Sequence, residues 1–66
     1  MIEYTVNDMT CNHCVASLTK ALRAIEPNGK VEVDLGRKRV RVDGAASAET
    51  VAQTIRDAGY TPQPVA

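Results

Sequence analysis

Two thiols and an imidazole fall within four consecutive positions, Cys11-Asn12-His13-Cys14, in the run 8-DMTCNHCVA-16. The chain holds no other Cys or His. Thiolates are soft donors and good nucleophiles, so a C-x-x-C pair has two chemical outlets: a soft metal ion, or dithiol–disulfide exchange. Two thiolates that converge on one point suit an ion content with two ligands. Cu(I) is the leading example, and Hg(II) accepts similar ligation. Zn²⁺ usually takes four ligands, so carboxylates, water or a dimer sharing two sites would have to complete its shell here.

The elements around the pair say where it sits. Ile2, Tyr4 and Val6 alternate with Glu3 and Thr5, which predicts a half-buried strand over residues 2–6. From Asn12 the period changes: Val15, Leu18, Leu22 and Ile25 form the apolar stripe of a helix that Pro27-Asn28-Gly29 stops. Val31, Val33 and Leu35, then Val40 and Val42, form a hairpin over 31–43 with its turn at Gly36-Arg37-Lys38. Ser47 is a suitable N-cap for a second helix. That helix is expected to bury Val51 and Ile55 with Ala48, Ala52 and Ala58, and to end at Gly59. Residues 60–65 make a last strand, held short and at a sheet edge by Pro62 and Pro64. The order β-α-β-β-α-β predicts an α+β, ferredoxin-like sandwich, with a four-stranded antiparallel sheet and two helices on one face.

Cys11 is thus placed in the loop after the first strand and Cys14 in the first turn of the first helix. The helix N-terminus presents unpaired N–H groups and the positive end of the dipole, which favour a thiolate. The two halves of the chain repeat weakly at an offset of 36. Val6 then falls on Val42, Val15 on Val51, Cys11 on Ser47 and Cys14 on Thr50. The same corner occurs twice, with hydroxyls in one copy and thiols in the other, so the scaffold does not require cysteine there.

Composition narrows the function further. With 66 residues and neither Phe nor Trp, one domain with a thin core is expected over 1–66. A pocket enclosing an organic substrate is not, which argues against an enzyme. Basic and acidic residues are equal at 8 each, and Tyr4 and Tyr60 are the only aromatics. Neither nucleic acid nor an anionic membrane surface is therefore an expected partner. No signal peptide or membrane span is expected, so the default compartment is the cytosol, where thiols stay reduced.

The run Met9-Thr10-Cys11-Asn12-His13-Cys14 resembles the M-x-C-x-x-C signature of heavy-metal-associated domains. That family includes bacterial cytosolic copper chaperones and the N-terminal metal-binding domains of copper-transporting P-type ATPases. The likeness runs over nearly the whole chain. Val31-Glu32-Val33-Asp34-Leu35 followed by Val40-Arg41-Val42 is similar to the family's central hairpin, and Ala58-Gly59-Tyr60 to its second helix end. The resemblance implies that Cys11 and Cys14 bind Cu(I), that Met9 is buried under the loop, and that Tyr60 lies near the metal and shields it. It also implies transfer to a copper-transporting P-type ATPase or another C-x-x-C domain. The family usually has glycine where this chain has Asp8, whose carboxylate is expected to oppose thiol ionisation by like-charge repulsion.

Other readings stand beside this one. The chain could be a metal-binding domain cut from a larger ATPase, a carrier of Hg(II), Zn²⁺ or Cd²⁺, or a dithiol redox module. Against the last, it is short for a thioredoxin-like fold and no Trp precedes Cys11. His13 is expected to point away from the Cys pair, because one residue turns a helix by about 100°. Its sharper reading is a third ligand, or a bridge to a metal shared in a dimer of an otherwise monomeric protein. Met9 reads as a core plug and Tyr60 as core filler or lid. Arg37, Lys38, Arg39 and Arg41 read as a solvated hairpin tip and strand face, with Lys20 and Arg23 on the first helix as better docking candidates.

Overall fold

A computed structural model describes residues 2–65. Met1 and Ala66, which the expected domain also covers, lie outside the described residues. The elements follow the expected order: β1 (Ile2–Thr5), α1 (Asn12–Ile25), β2 (Lys30–Asp34), β3 (Arg39–Asp43), α2 (Ala48–Asp57) and β4 (Gln63–Pro64). The sheet is antiparallel in the order β2-β3-β1-β4.

Register turns the alternation of each strand into one apolar face. Ile2 and Val31 both pair with Val42, and Tyr4 and Val33 both pair with Val40. The helices cover that face, and Val6, Met9, Leu18, Leu22, Val40, Val42, Val51 and Ile55 form a fully buried core between the layers. The opposite face carries charge ladders, with Arg39 3.0 Å from Glu3 and Arg41 3.8 Å from Glu32.

The helix boundaries have local causes. Ser47 caps α2, its Oγ accepting the Thr50 N–H at 3.2 Å. Gly59 ends that helix in the left-handed region, at φ +97°. Its N–H reaches the Arg56 carbonyl and the Tyr60 N–H reaches the Ile55 carbonyl, the paired bonds of a Schellman cap. At the far end of α1 the buried Glu26 accepts the Ala46 N–H at 2.7 Å, and the chain passes it at Gly29 and Gly44. A Cβ at either glycine would run into the Glu26 side chain.

Three expectations change. Ala48 is exposed rather than buried; it lies at the start of α2, where its carbonyl receives the Tyr4 hydroxyl at 2.9 Å. The last strand is two residues long, not six. The Tyr60 N–H serves the helix cap, the Thr61 N–H is held by Asp8, and Pro62 has none, so no ladder can form there. Finally, Lys38 is not part of a solvated tip. It is half-buried at φ +56°, and its ammonium donates to the Met9 carbonyl at 2.8 Å.

Candidate metal centre

β1 ends at Thr5, and residues 6–11 cross to the start of α1. Val6 and Met9 fix this crossing from below, both fully buried. The Met9 N–H bonds the Val6 carbonyl at 3.2 Å, and the Val6 N–H bonds the Lys38 carbonyl at 2.7 Å. The thioether of Met9 therefore belongs to the core, and its carbonyl is occupied by Lys38.

The loop delivers Cys11 as the N-cap of α1, in extended backbone and with no side-chain capping bond. Cys14 follows in the first turn, half-buried against the core, while Cys11 is exposed. The two Sγ atoms are 3.3 Å apart and both thiols are free. At the matching corner of α2, Ser47 Oγ and Thr50 Oγ1 are 2.9 Å apart. The corners share their backbone as well: Val15 N–H to Cys11 carbonyl at 3.3 Å, Val51 N–H to Ser47 carbonyl at 3.0 Å. Both pairs thus sit at a helix N-cap, but only Ser47 makes a side-chain capping bond and Cys11 makes none.

The Cys14 thiol is lowered from 9.0 to about 6. The chief cause is a hydrogen bond from the Tyr60 side chain, followed by the Thr10 backbone, the Cys11 side chain and the Cys11 backbone, all against burial. The contribution of the helix start is thus present but secondary to a tyrosine 46 positions away, a count read from the two residue numbers. The reciprocal effect raises Tyr60, whose phenolate would face the Cys14 sulfur first, then burial, Cys11 and Asp8. The expected repulsion between Asp8 and the thiols does not appear among the causes acting on Cys14. The Asp8 carboxylate instead accepts the Thr61 N–H at 3.2 Å.

His13 is exposed, and among the described residues no three or more His, Cys, Asp or Glu side chains gather into a metal-holding group. The structure thus brings Cys11, Cys14 and Tyr60 together over Met9, and leaves His13 outside. Lys20 and Arg23 are exposed on α1. Arg23 is in the last turn, roughly 18 Å along the helix from Cys11 at 1.5 Å per residue. Lys38 reaches the metal-loop backbone from a hairpin tip whose run of charge looks like ordinary solvation in sequence. Asp8 was visible as a departure from glycine, but not as a tie to Thr61.

This fold and sequence have known counterparts. The model of the family described as heavy-metal-associated domain matches residues 3–61. The chain belongs to that family. This heavy-metal-associated domain is 38% identical over 61 residues to the copper chaperone CopZ of Enterococcus hirae, covering 88% of each chain. Its fold superposes on the copper chaperone Atx1 of Synechocystis with a TM-score of 0.89 and 32% identity, covering 96% of this chain and 100% of that one. A gold-binding protein gives a TM-score of 0.92 at 28% identity, covering 98% and 100%. The ferredoxin-like class and the copper-chaperone kinship read from the sequence both hold. Among the described residues, no helix is long and apolar enough to cross a membrane.

Proposed function

We propose that this domain carries Cu(I) between Cys11 and Cys14 and passes it to a second C-x-x-C site, such as one on a copper-transporting P-type ATPase. The observation that carries the reading is the pair of free sulfurs 3.3 Å apart at an accessible corner. Two soft donors without a third suit Cu(I) and leave the ion under-coordinated. Similarity to copper chaperones supports the choice of cargo.

Transfer is ligand exchange. A thiolate of the partner adds to the bound ion, and one of the carrier's thiolates departs and takes up a proton where the pH requires it. The copper stays Cu(I) throughout. No substrate bond is made or broken, so the domain is a carrier and not an enzyme. A low Cys14 pKa keeps that ligand ionised in a neutral, reducing compartment such as the cytosol. A closed four-ligand site would hold the ion too firmly for such exchange.

Likeness to a gold-binding protein favours a second reading, in which the same two thiolates take other soft ions. One experiment separates them: anaerobic titration of the reduced protein with Cu(I) against a competing chelator, and with Hg(II) and Zn²⁺ in parallel. One Cu(I) per chain, lost in Cys11→Ser and in Cys14→Ser and retained in His13→Ala, is the expected result. Failure to compete for Cu(I) while Zn²⁺ binds tightly overturns the copper reading and makes His13 a ligand, including as a bridge between two copies.

A further inference from the structure

The metal loop (residues 7–11) and the loop that carries Tyr60 are 53 residues apart in sequence, counted from Asp8 to Thr61. Two side chains join them. Asp8 Oδ1 accepts the Thr61 N–H at 3.2 Å, and Asn7 Nδ2 donates to Gln63 Oε1 at 3.3 Å. Tyr60 stands next to Thr61. Its N–H is fixed by the Ile55 carbonyl at 3.1 Å, so its backbone is gripped by α2 on one side and by Asp8 on the other. Its side chain packs against the same core as the half-buried Cys14 and is the largest influence lowering that thiol's pKa. Thr61 itself is exposed between the half-buried Tyr60 and the buried Pro62, and β4 begins only at Gln63, so the Asp8 carboxylate is the partner of its N–H.

We propose that Asp8 is a positioning residue of the metal centre: by holding the Thr61 N–H it keeps Tyr60 over Cys14 and so sets how readily an incoming ligand reaches the bound ion. The proposal rests on the Cu(I)-carrier reading for its cargo, but the tie itself needs no metal. It assigns Asp8 a role through hydrogen bonding rather than through its charge. Asparagine should therefore replace it, because its side-chain oxygen accepts the same N–H, whereas alanine should not. Loss of one such exposed bond corresponds to about a fivefold change in an opening equilibrium.

The test has two arms on the full chain. In the metal-free protein, hydrogen exchange at the Thr61 amide is followed by NMR. It should quicken about fivefold in Asp8→Ala and stay near wild type in Asp8→Asn. In the Cu(I)-loaded protein, the rate at which a copper-specific chelator captures the ion should rise by a similar factor in Asp8→Ala, and again not in Asp8→Asn. In a Tyr60→Ala background, Asp8→Ala should add less than about twofold, since the group it positions is gone. If that background does not fold, the asparagine rescue decides.

Equal chelator rates in all three proteins, with normal Cu(I) uptake, overturn the inference and leave the carrier reading in place. So does Asp8→Asn behaving like Asp8→Ala, which would make charge the active property. Altered Thr61 exchange in a protein that takes up no Cu(I) overturns the carrier reading, and the access role falls with it.

Discussion

Tyr60→Phe removes one hydroxyl and keeps the ring, so it isolates the contact that most perturbs the metal corner. Cys14 titrates at about 6 rather than 9.0, and Tyr60 is the largest of four interactions lowering it against burial. The net fall is about three pH units, so the largest of four contributors supplies at least a quarter of it, roughly 0.75 pH unit. Cys14 in the phenylalanine variant should then titrate at about 6.8 or higher. At about pH 6 the ionised fraction drops from about a half to roughly one-sixth or less. Cu(I) affinity, which needs the thiolate, should weaken there by about threefold or more and converge with wild type once both are fully ionised. The sign follows from the pair: the hydrogen bond exists where Cys14 is ionised and Tyr60 is not. That window opens at about pH 6 and closes only above the ordinary tyrosine value of 10.0. The assay is pH-dependent alkylation of reduced, metal-free protein, with Cys14 quantified in its own peptide by mass spectrometry. A Cys14 midpoint unmoved by Tyr60→Phe would refute the assignment and return the acidification to the helix terminus.

Three further outcomes are expected. Ser47→Cys combined with Thr50→Cys should build a second dithiol corner, raising Cu(I) uptake from one to two per chain, with weaker binding at the new corner because no Tyr60 serves it; unchanged stoichiometry would deny that the corners are equivalent. Lys38→Asn keeps a residue tolerant of the left-handed backbone but cannot reach the Met9 carbonyl, and should lower stability to urea by about 1 kcal/mol. Gly44→Ala drives a Cβ into Glu26 and should cost about 1–3 kcal/mol in thermal or chemical unfolding. That loss should shrink in a Glu26→Ala background, where the obstruction is absent.

The periodic elements were legible because their signals are local. Val15, Leu18, Leu22 and Ile25 declare a helix, and the helix runs Asn12–Ile25. The hairpin alternation and the Ser47 cap were equally readable, and the 36-residue offset anticipated two helix-start corners at which paired side chains meet. Errors gathered where a distant group competes for a local one. The last strand is short because Asp8 and the α2 cap take its N–H groups. Lys38 looked solvated because its acceptor, the Met9 carbonyl, is a backbone atom 29 residues away and leaves no trace in composition.

By itself, the sequence determined the order of elements, most of the core residues and the pairing of two thiols at a helix start. Each depends on spacing within a few residues, and spacing is what a sequence records. Only tertiary structure decided which groups tune those thiols. Tyr60 reaches Cys14 because the Schellman cap of α2 and the Asp8 carboxylate deliver it there, and Lys38 holds the loop from the opposite strand pair. Hydrogen bonds of that kind need a fixed distance and direction between atoms that the fold alone brings together.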